Sequence, residues 1–242
     1  GEPGGTAARP AAPAAPALPA VEAWLRTADA LLCGLNHALS NRASALAAAP
    51  LIAARPAPIP ADVEQLTVEI AKLESLLRLY RLLERGEHEP VEAVNVADAV
   101  ADALALLAHH PTTRDLACTV TSIGDTPPVL LVPSALVHAV LLLLCAATRV
   151  AGVAGEREPD GLNLSFGGTA DWVTIAVETR SMVPGGPALD VPELPAVRWI
   201  LRDASVTESA SRTPEGRVRL EMRLATLARS RRGNTADTRE HG

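Results

Sequence analysis

The chain has 242 residues, a net charge of −6 at pH 7, and 48% hydrophobic but only 2% aromatic residues. This length allows one large domain or two small ones, and so few aromatic residues predict a core of Leu, Val and Ala. The acidic balance argues against a nucleic-acid-binding protein. The three cysteines show no paired metal-ligand spacing, which is typical of a reducing compartment, and we therefore expect a cytoplasmic protein.

The first structured segment is predicted to be a helix with an outward-facing histidine. Residues 1–19 are rich in Ala, Pro and Gly and are expected to form a disordered leader. His37 falls at position f of a heptad pattern, furthest from its seam, and Asn41 follows one helical turn later. The seam runs through Pro19–Ala49 with one polar exception and consists of Leu25, Ala28, Leu32, Leu35, Leu39, Arg42 and Leu46.

A second helix completes a predicted hairpin over residues 20–88. A proline-rich break spans Pro50–Pro60, Asp62 is the expected cap of the next helix, and that helix ends near Gly86. Neither helix can bury all of its apolar surface within one hairpin, so we predict a homodimer held by a four-helix bundle. The apolar residues of the second helix are again three and four apart: Val63, Leu66, Ile70, Leu73, Leu77 and Tyr80.

Residues 89–227 are predicted to form a two-layer α/β sandwich, because three helical stretches alternate with strand-like ones. The longest apolar run, residues 139–147, is too short for a membrane span, so we expect a buried helix and no membrane partner. The polar residues 228–242 are expected to be a disordered tail. Helices are predicted at Val96–His109, from a cap at Ser134 through Arg149, and at Pro192–Arg202. Single strands are predicted at Leu116–Thr121 and Val129–Val132. A hairpin is predicted from strands 162–166 and 173–177, with Gly167-Gly168 between them. A closing hairpin is predicted from Val206 and the strand 218–224, with its turn at Pro214-Glu215-Gly216.

Four short motifs occur in a characteristic order: His37-Ala38-Leu39-Ser40-Asn41, residues 133–141, residues 194–200, and residues 214–216. Together they resemble the transmitter region of bacterial sensor histidine kinases, and the resemblance covers residues 21–227. The first is similar to the family's phosphoacceptor box, although Ala38 stands where the family has an acid. The others resemble the start of its Asn box, the helix after its Gly-rich lid, and the turn before its last strand. The resemblance implies an α+β fold in which a dimeric helical hairpin precedes a GHKL-like ATPase domain.

The same resemblance implies that the ATP chemistry is lost. Leu142 and Ala146 stand where such kinases hold Mg-ATP with asparagines, residues 177–183 lack the family's Asp-x-Gly-x-Gly loop, and Gly185-Gly186 is the remnant of its lid. Without amide ligands for Mg²⁺ and a flexible lid, the charge of the triphosphate would stay uncompensated. We therefore expect no ATP binding, no autophosphorylation, and no metal or cofactor of the chain's own.

The resemblance implies a histidine phosphotransferase that passes phosphoryl groups between response-regulator receiver domains through His37, with Mg²⁺ supplied by the receiver. His37 and Asn41 are then the catalytic residues, and Arg42, Ala43 and Ala45 are the expected receiver-docking residues. Two alternatives stay open. The chain could be a non-catalytic pseudokinase scaffold that binds a receiver or a kinase, or a receiver phosphatase in which Asn41 orients a water.

Overall fold

The structure is a computed structural model that describes residues 18–47, 60–84, 89–113, 116–152, 161–180, 191–202 and 204–237. The predicted order, a helical hairpin followed by mixed helices and strands, is confirmed. Gly86, Gly185-Gly186 and most of the predicted leader and proline-rich break lie outside the described residues. The elements are α1 (Leu18–Leu46), α2 (Pro60–Leu83), β1 (Glu92–Val94), α3 (Val96–Leu107), β2 (Cys118–Ile123), β3 (Val129–Leu131), α4 (Pro133–Ala151), β4 (Leu162–Gly168), β5 (Trp172–Arg180), α5 (Glu193–Ile200), β6 (Val206–Arg212), β7 (Arg217–Ala225) and α6 (Leu227–Asp237).

The helices α1 and α2 pack against each other, but the first half of α1 buries a different face from the predicted one. Leu25 of the predicted seam is 58% exposed, whereas Leu35, which both stripes share, is fully buried. The prediction is wrong at Leu25 because α1 also packs on α4 and α5 of the α/β domain. The residues that α1 buries are Ala20, Ala23, Thr27, Leu31 and Leu35.

Apolar side chains remain exposed on α2 in the single chain. Val63, Val68, Ile70 and Leu77 are each between 40% and 52% exposed. The four-helix dimer, for which these residues are candidates, stays a prediction.

The α/β domain has one five-stranded sheet covered by helices, which confirms the predicted two-layer sandwich. The strand order is β2-β4-β5-β7-β6, with β2 parallel to β4 and the other neighbours antiparallel. Helix α4 lies on β4, β5 and β7 and also contacts α3 and α5, so nearly all of its side chains are buried. Among the described helices, α4 alone is long and apolar enough to cross a membrane, yet 83% of that stretch is buried inside the protein. It is therefore the core helix that the apolar run predicts.

Two helix starts differ from their predictions. Helix α4 begins with Val132 as its N-cap and Pro133 in its first turn, so Ser134 is not the cap. The Ser134 backbone N–H and hydroxyl instead donate to the carboxylate of Glu89, which ties the segment before β1 to α4. Helix α2 begins at Pro60, which places Asp62 inside the first turn.

Two elements were not expected from the sequence. The strand β1 has only three residues, too few to show alternation, and is stabilised by antiparallel pairing with β3. The helix α6 forms in the stretch predicted to be a disordered tail. Its first turn is tethered because the Thr226 hydroxyl accepts from the Arg229 N–H, and the Leu227 N–H donates to the carbonyl of Pro128.

Gly34 marks the closest approach of α1 to the α/β domain. A Cβ atom built at Gly34 would lie 1.6 Å from the carbonyl oxygen of His109, which follows α3. Glycine inside a helix costs about 1 kcal/mol relative to alanine, so its presence here has a packing reason. Only a residue without a Cβ lets the two backbones approach this closely.

We expect Gly34→Ala to lower the free energy of unfolding by about 1–3 kcal/mol, since the added methyl group overpacks this contact. The measurement is chemical denaturation followed by circular dichroism. Ala43→Gly, at an exposed position of the same helix, is the control for helix propensity and should cost about 0.5–1 kcal/mol. A Gly34→Ala protein more stable than the wild type would show that the contact with His109 does not constrain α1.

Candidate functional site

His37 is exposed on α1, as the heptad pattern predicts, and Asn41 lies beside it one turn later. The Asn41 Nδ2 atom is 3.2 Å from the His37 Nε2 atom. Because an amide nitrogen only donates, this contact assigns the lone pair to Nε2 and the proton of the neutral ring to Nδ1. The helix repeat alone brings the two side chains together, since residues four apart share one face.

In the neutral form of the His37 imidazole, the Nε2 atom is a nucleophile. No hydrogen bond within the described part of the chain joins its ring to a carboxylate, and the next residue is Ala38. The ring therefore lacks the acidic neighbour that would polarise it, and a reaction at Nε2 depends on an electrophile that arrives already activated.

Arg42, the polar exception in the predicted seam, forms an ion pair across the hairpin. Its Nη1 atom is 2.7 Å from Oε2 of Glu69 on α2, and Lys72 Nζ is 2.9 Å from Oε1 of the same carboxylate. The Gln65 amide also donates to Glu69, at 3.3 Å. The hydrogen bonds from Arg42 and then Lys72 hold the pKa of Glu69 below its ordinary value, although burial opposes them.

The structure places the predicted docking residues in two different environments. Arg42 is partly buried through its pairing with Glu69, whereas Ala43 and Ala45 are exposed on α1. A groove of about 220 Å³ begins at Arg42 and Ala38 and lies between the hairpin and the segment that follows α3. Its other lining residues are Lys72, Ser75, Leu76, Leu79 and His109. Near His37 the described part of the chain therefore has an exposed surface at Ala43 and Ala45 and a groove lined by Arg42 and Lys72.

His109 and His110, a dipeptide that could suggest a metal site, lie in the segment after α3. Burial lowers the pKa of both imidazoles, which favours their neutral forms. No group of three or more His, Cys, Asp or Glu side chains that could hold a metal ion occurs within the described ranges. His109 contacts Gly34 through its backbone and also lines the groove beside Ala38.

Helix α1 packs on the face of α4 that carries His138 and Cys145. The Trp24 ring lies 4.2 Å from the buried His138 ring between centroids, and the His138 Nε2 atom is 2.7 Å from the carbonyl oxygen of Leu82 at the end of α2. One face of α4 thus contacts both helices of the hairpin.

Further along this face, the Thr27 hydroxyl contacts the Cys145 thiol, whose pKa burial raises to about 12. Leu142 lies on the same stripe as His138 and Cys145, since residues four and three apart share a face.

The residues at the two asparagine positions do not fit Mg-ATP. Leu142 and Ala146 are both fully buried hydrocarbon side chains, so neither offers an oxygen ligand. Hard Mg²⁺ needs oxygen ligands and the phosphates need compensating charge. Nearby, the one carboxylate of α5 that faces α4, Glu193, is held by both Nε and Nη2 of Arg149.

Several solved histidine kinase structures align with this chain over more than half of its length. The Acinetobacter baumannii histidine kinase AdeS aligns over 81% of this chain and 97% of its own, with 15% identity and a TM-score of 0.44. The catalytic domain of the histidine kinase ThkA aligns over 56% and 97%, with 10% identity and a TM-score of 0.44. The cytoplasmic segment of the histidine kinase QseC aligns over 65% and 91%, with 16% identity and a TM-score of 0.42. Neither a protein-family profile nor a curated protein matches the sequence.

The Arg42–Glu69–Lys72 network predicts a pH-dependent contribution to stability. Because the pKa of Glu69 is lowered in the folded state, its contribution is present above the ordinary range of a glutamate, about pH 4.3, and is lost as the pH falls further. We expect Glu69→Gln to lower the melting temperature at pH 7 and to flatten its dependence on pH below 5. Glu64→Gln, at an exposed position of the same helix, should leave the pH profile unchanged. Identical profiles for both variants would contradict the role of the network.

Proposed function

We propose that this chain is a histidine phosphotransferase that exchanges a phosphoryl group with the receiver domains of response regulators through His37. The observation that carries the proposal is the exposed imidazole on α1, whose Nε2 atom lies at the protein surface beside the Asn41 amide. A histidine with a purely structural role would be expected on the buried stripe, where His138 is found on α4.

The proposed step needs no metal from this chain. The His37 Nε2 lone pair forms a bond to phosphorus while the bond from phosphorus to the aspartyl oxygen of the receiver breaks, and the aspartate leaves as a carboxylate. Nδ1 keeps its proton during this step and releases it afterwards. The receiver would bring the Mg²⁺ that compensates the phosphoryl charge, and the anchored helix holds the imidazole in a fixed position.

The burial of α4 beneath α1 supports transfer between proteins rather than from ATP. The positions of Leu142 and Ala146 supply no ligand atoms, and Ala38 supplies no acid. An aspartyl phosphate is a mixed anhydride and already activated, so it suits a histidine without an acidic neighbour. We also propose that the exposed apolar residues of α2 join two copies of the hairpin in a homodimer.

Phosphorylated receivers mixed with the protein should label the wild type and leave His37→Ala unlabelled, because the mutant lacks the nucleophile. Labelling is followed on gels, and the product should be stable in alkali and labile in acid. Asn36→Ala, an exposed neighbour on the same helix, is the matched control and should be labelled like the wild type. Equal labelling of His37→Ala would overturn the proposal. Receiver binding without transfer in the wild type would favour the scaffold, for which the missing acid at Ala38 is the supporting observation.

Asn41→Ala should keep phosphoryl transfer within about tenfold of the wild type, because one neutral hydrogen bond contributes about 0.5–1.5 kcal/mol. Single-turnover transfer rates measure this, and inorganic phosphate released from the receiver is measured in the same reactions. If transfer is lost as completely as in His37→Ala, the amide is essential rather than supportive. If phosphate release disappears in Asn41→Ala while His37→Ala still releases it, the chain is a receiver phosphatase.

A further inference from the structure

The first turns of α6 border a groove of about 640 Å³. The residues that line this groove are far from His37 in the sequence. The Thr226 hydroxyl donates to the carbonyl of Ala170 at 2.6 Å, and the Thr226 N–H donates to the carbonyl of Asp171 at 2.9 Å. These bonds fix the start of α6 against the β4–β5 turn. The position of α6 at the border of the groove is therefore fixed by hydrogen bonds within the fold.

Two of the described arginine residues, Arg229 and Arg232, line the groove, and Arg223 lies outside this lining. The guanidinium carbons of Arg223 and Arg229 lie 5.0 and 4.2 Å from the centre of the Trp172 ring. Neither side chain forms an ion pair within the described part of the chain. A cation on an aromatic ring keeps its full charge, so both remain able to bind an anion. In a chain with a net charge of −6, this cluster is a region of locally positive charge.

Among the described residues, one carboxylate also lines the groove, and it is paired with an arginine. Asp171 forms an ion pair with Arg232 of α6. Taking Arg229, Arg232 and Asp171 together, these described lining residues carry one excess positive charge. That charge is on Arg229, and a guanidinium group can bind two oxygens of one phosphate.

Part of the groove floor is apolar, although polar atoms make up more of the lining surface. Leu130 and Leu131 of β3, Ala204 and Leu224 line it, and Val91 at its edge is 56% exposed. A volume of this size lies within the range of small-molecule sites, which combine apolar walls with a few fixed polar groups. An inorganic ion would leave this floor uncovered.

We propose that this groove binds a small phosphate monoester with an apolar body, whose phosphate contacts Arg229 and whose body lies on Leu130, Leu131 and Val91. The site does not involve His37, so it stands independently of the proposed phosphotransfer.

Isothermal titration of the full chain with phenyl phosphate tests the proposal, with inorganic phosphate and phenylacetate as separate arms. We expect phenyl phosphate to bind at least tenfold more tightly than either, because only it has both the dianion and the apolar body. Arg229→Gln should weaken phenyl phosphate binding at least tenfold. Arg231→Gln makes the same charge change on the same helix at a residue outside the groove lining, and should bind like the wild type.

Equal weakening in both arginine variants would overturn the proposal, since it would show a general charge effect. Equal binding of phenylacetate would overturn the assignment to a phosphate, and equal binding of inorganic phosphate would overturn the role of the apolar floor. The absence of saturable phenyl phosphate binding to the wild type would also overturn it. Leu130→Ser, with folding checked by circular dichroism, should weaken phenyl phosphate without changing inorganic phosphate.

Discussion

The close contact between Gly34 of α1 and the carbonyl oxygen of His109 sets how near the hairpin can lie to the α/β domain. At this distance the first half of α1 becomes part of the domain core, with Leu31 and Leu35 fully buried. A larger residue at position 34 would push the helix outward and open the apolar surface between α1 and α4. The burial of the N-terminal half of α1 therefore depends on a residue without a Cβ atom at position 34.

The position of α1 determines which of two histidines is accessible to solvent. His138 is enclosed between Trp24 and the carbonyl of Leu82, and its ring links the hairpin to α4. His37 lies one turn beyond Gly34, where α1 has left the α/β core and its outer face meets solvent. The same docking that encloses His138 therefore leaves His37 accessible. One buried and one exposed histidine are thus two consequences of one packing arrangement.

Local periodicity was sufficient to predict most of the elements and the exposure of His37, because both depend on residues close in sequence. It was insufficient at Leu25, where the heptad pattern is regular but the packing partner is a distant helix. The buried ion pair of Glu69 was not predicted, because a single glutamate in a helical sequence is usually exposed to solvent. Its partner Arg42 lies on the other helix of the hairpin. Gly34 did carry a local signal, since a glycine in the middle of a strong helix needs a packing reason. The helix α6 depends on hydrogen bonds from Thr226 to the β4–β5 turn, which no local pattern reveals.

The hydrogen bonds to Glu69 determine whether Arg42 could turn toward a partner protein without weakening the hairpin. Burying a carboxylate is costly unless it keeps its hydrogen bonds and its countercharge. Glu69 has three donors, and if the Arg42 guanidinium turned toward an acidic group on a partner, Lys72 and Gln65 would still satisfy it. Lys72 would also keep its charge compensated. Because the carboxylate never becomes an unpaired buried ion, Arg42 can change partners at a small cost, and a residue of the helical seam can also belong to a docking surface.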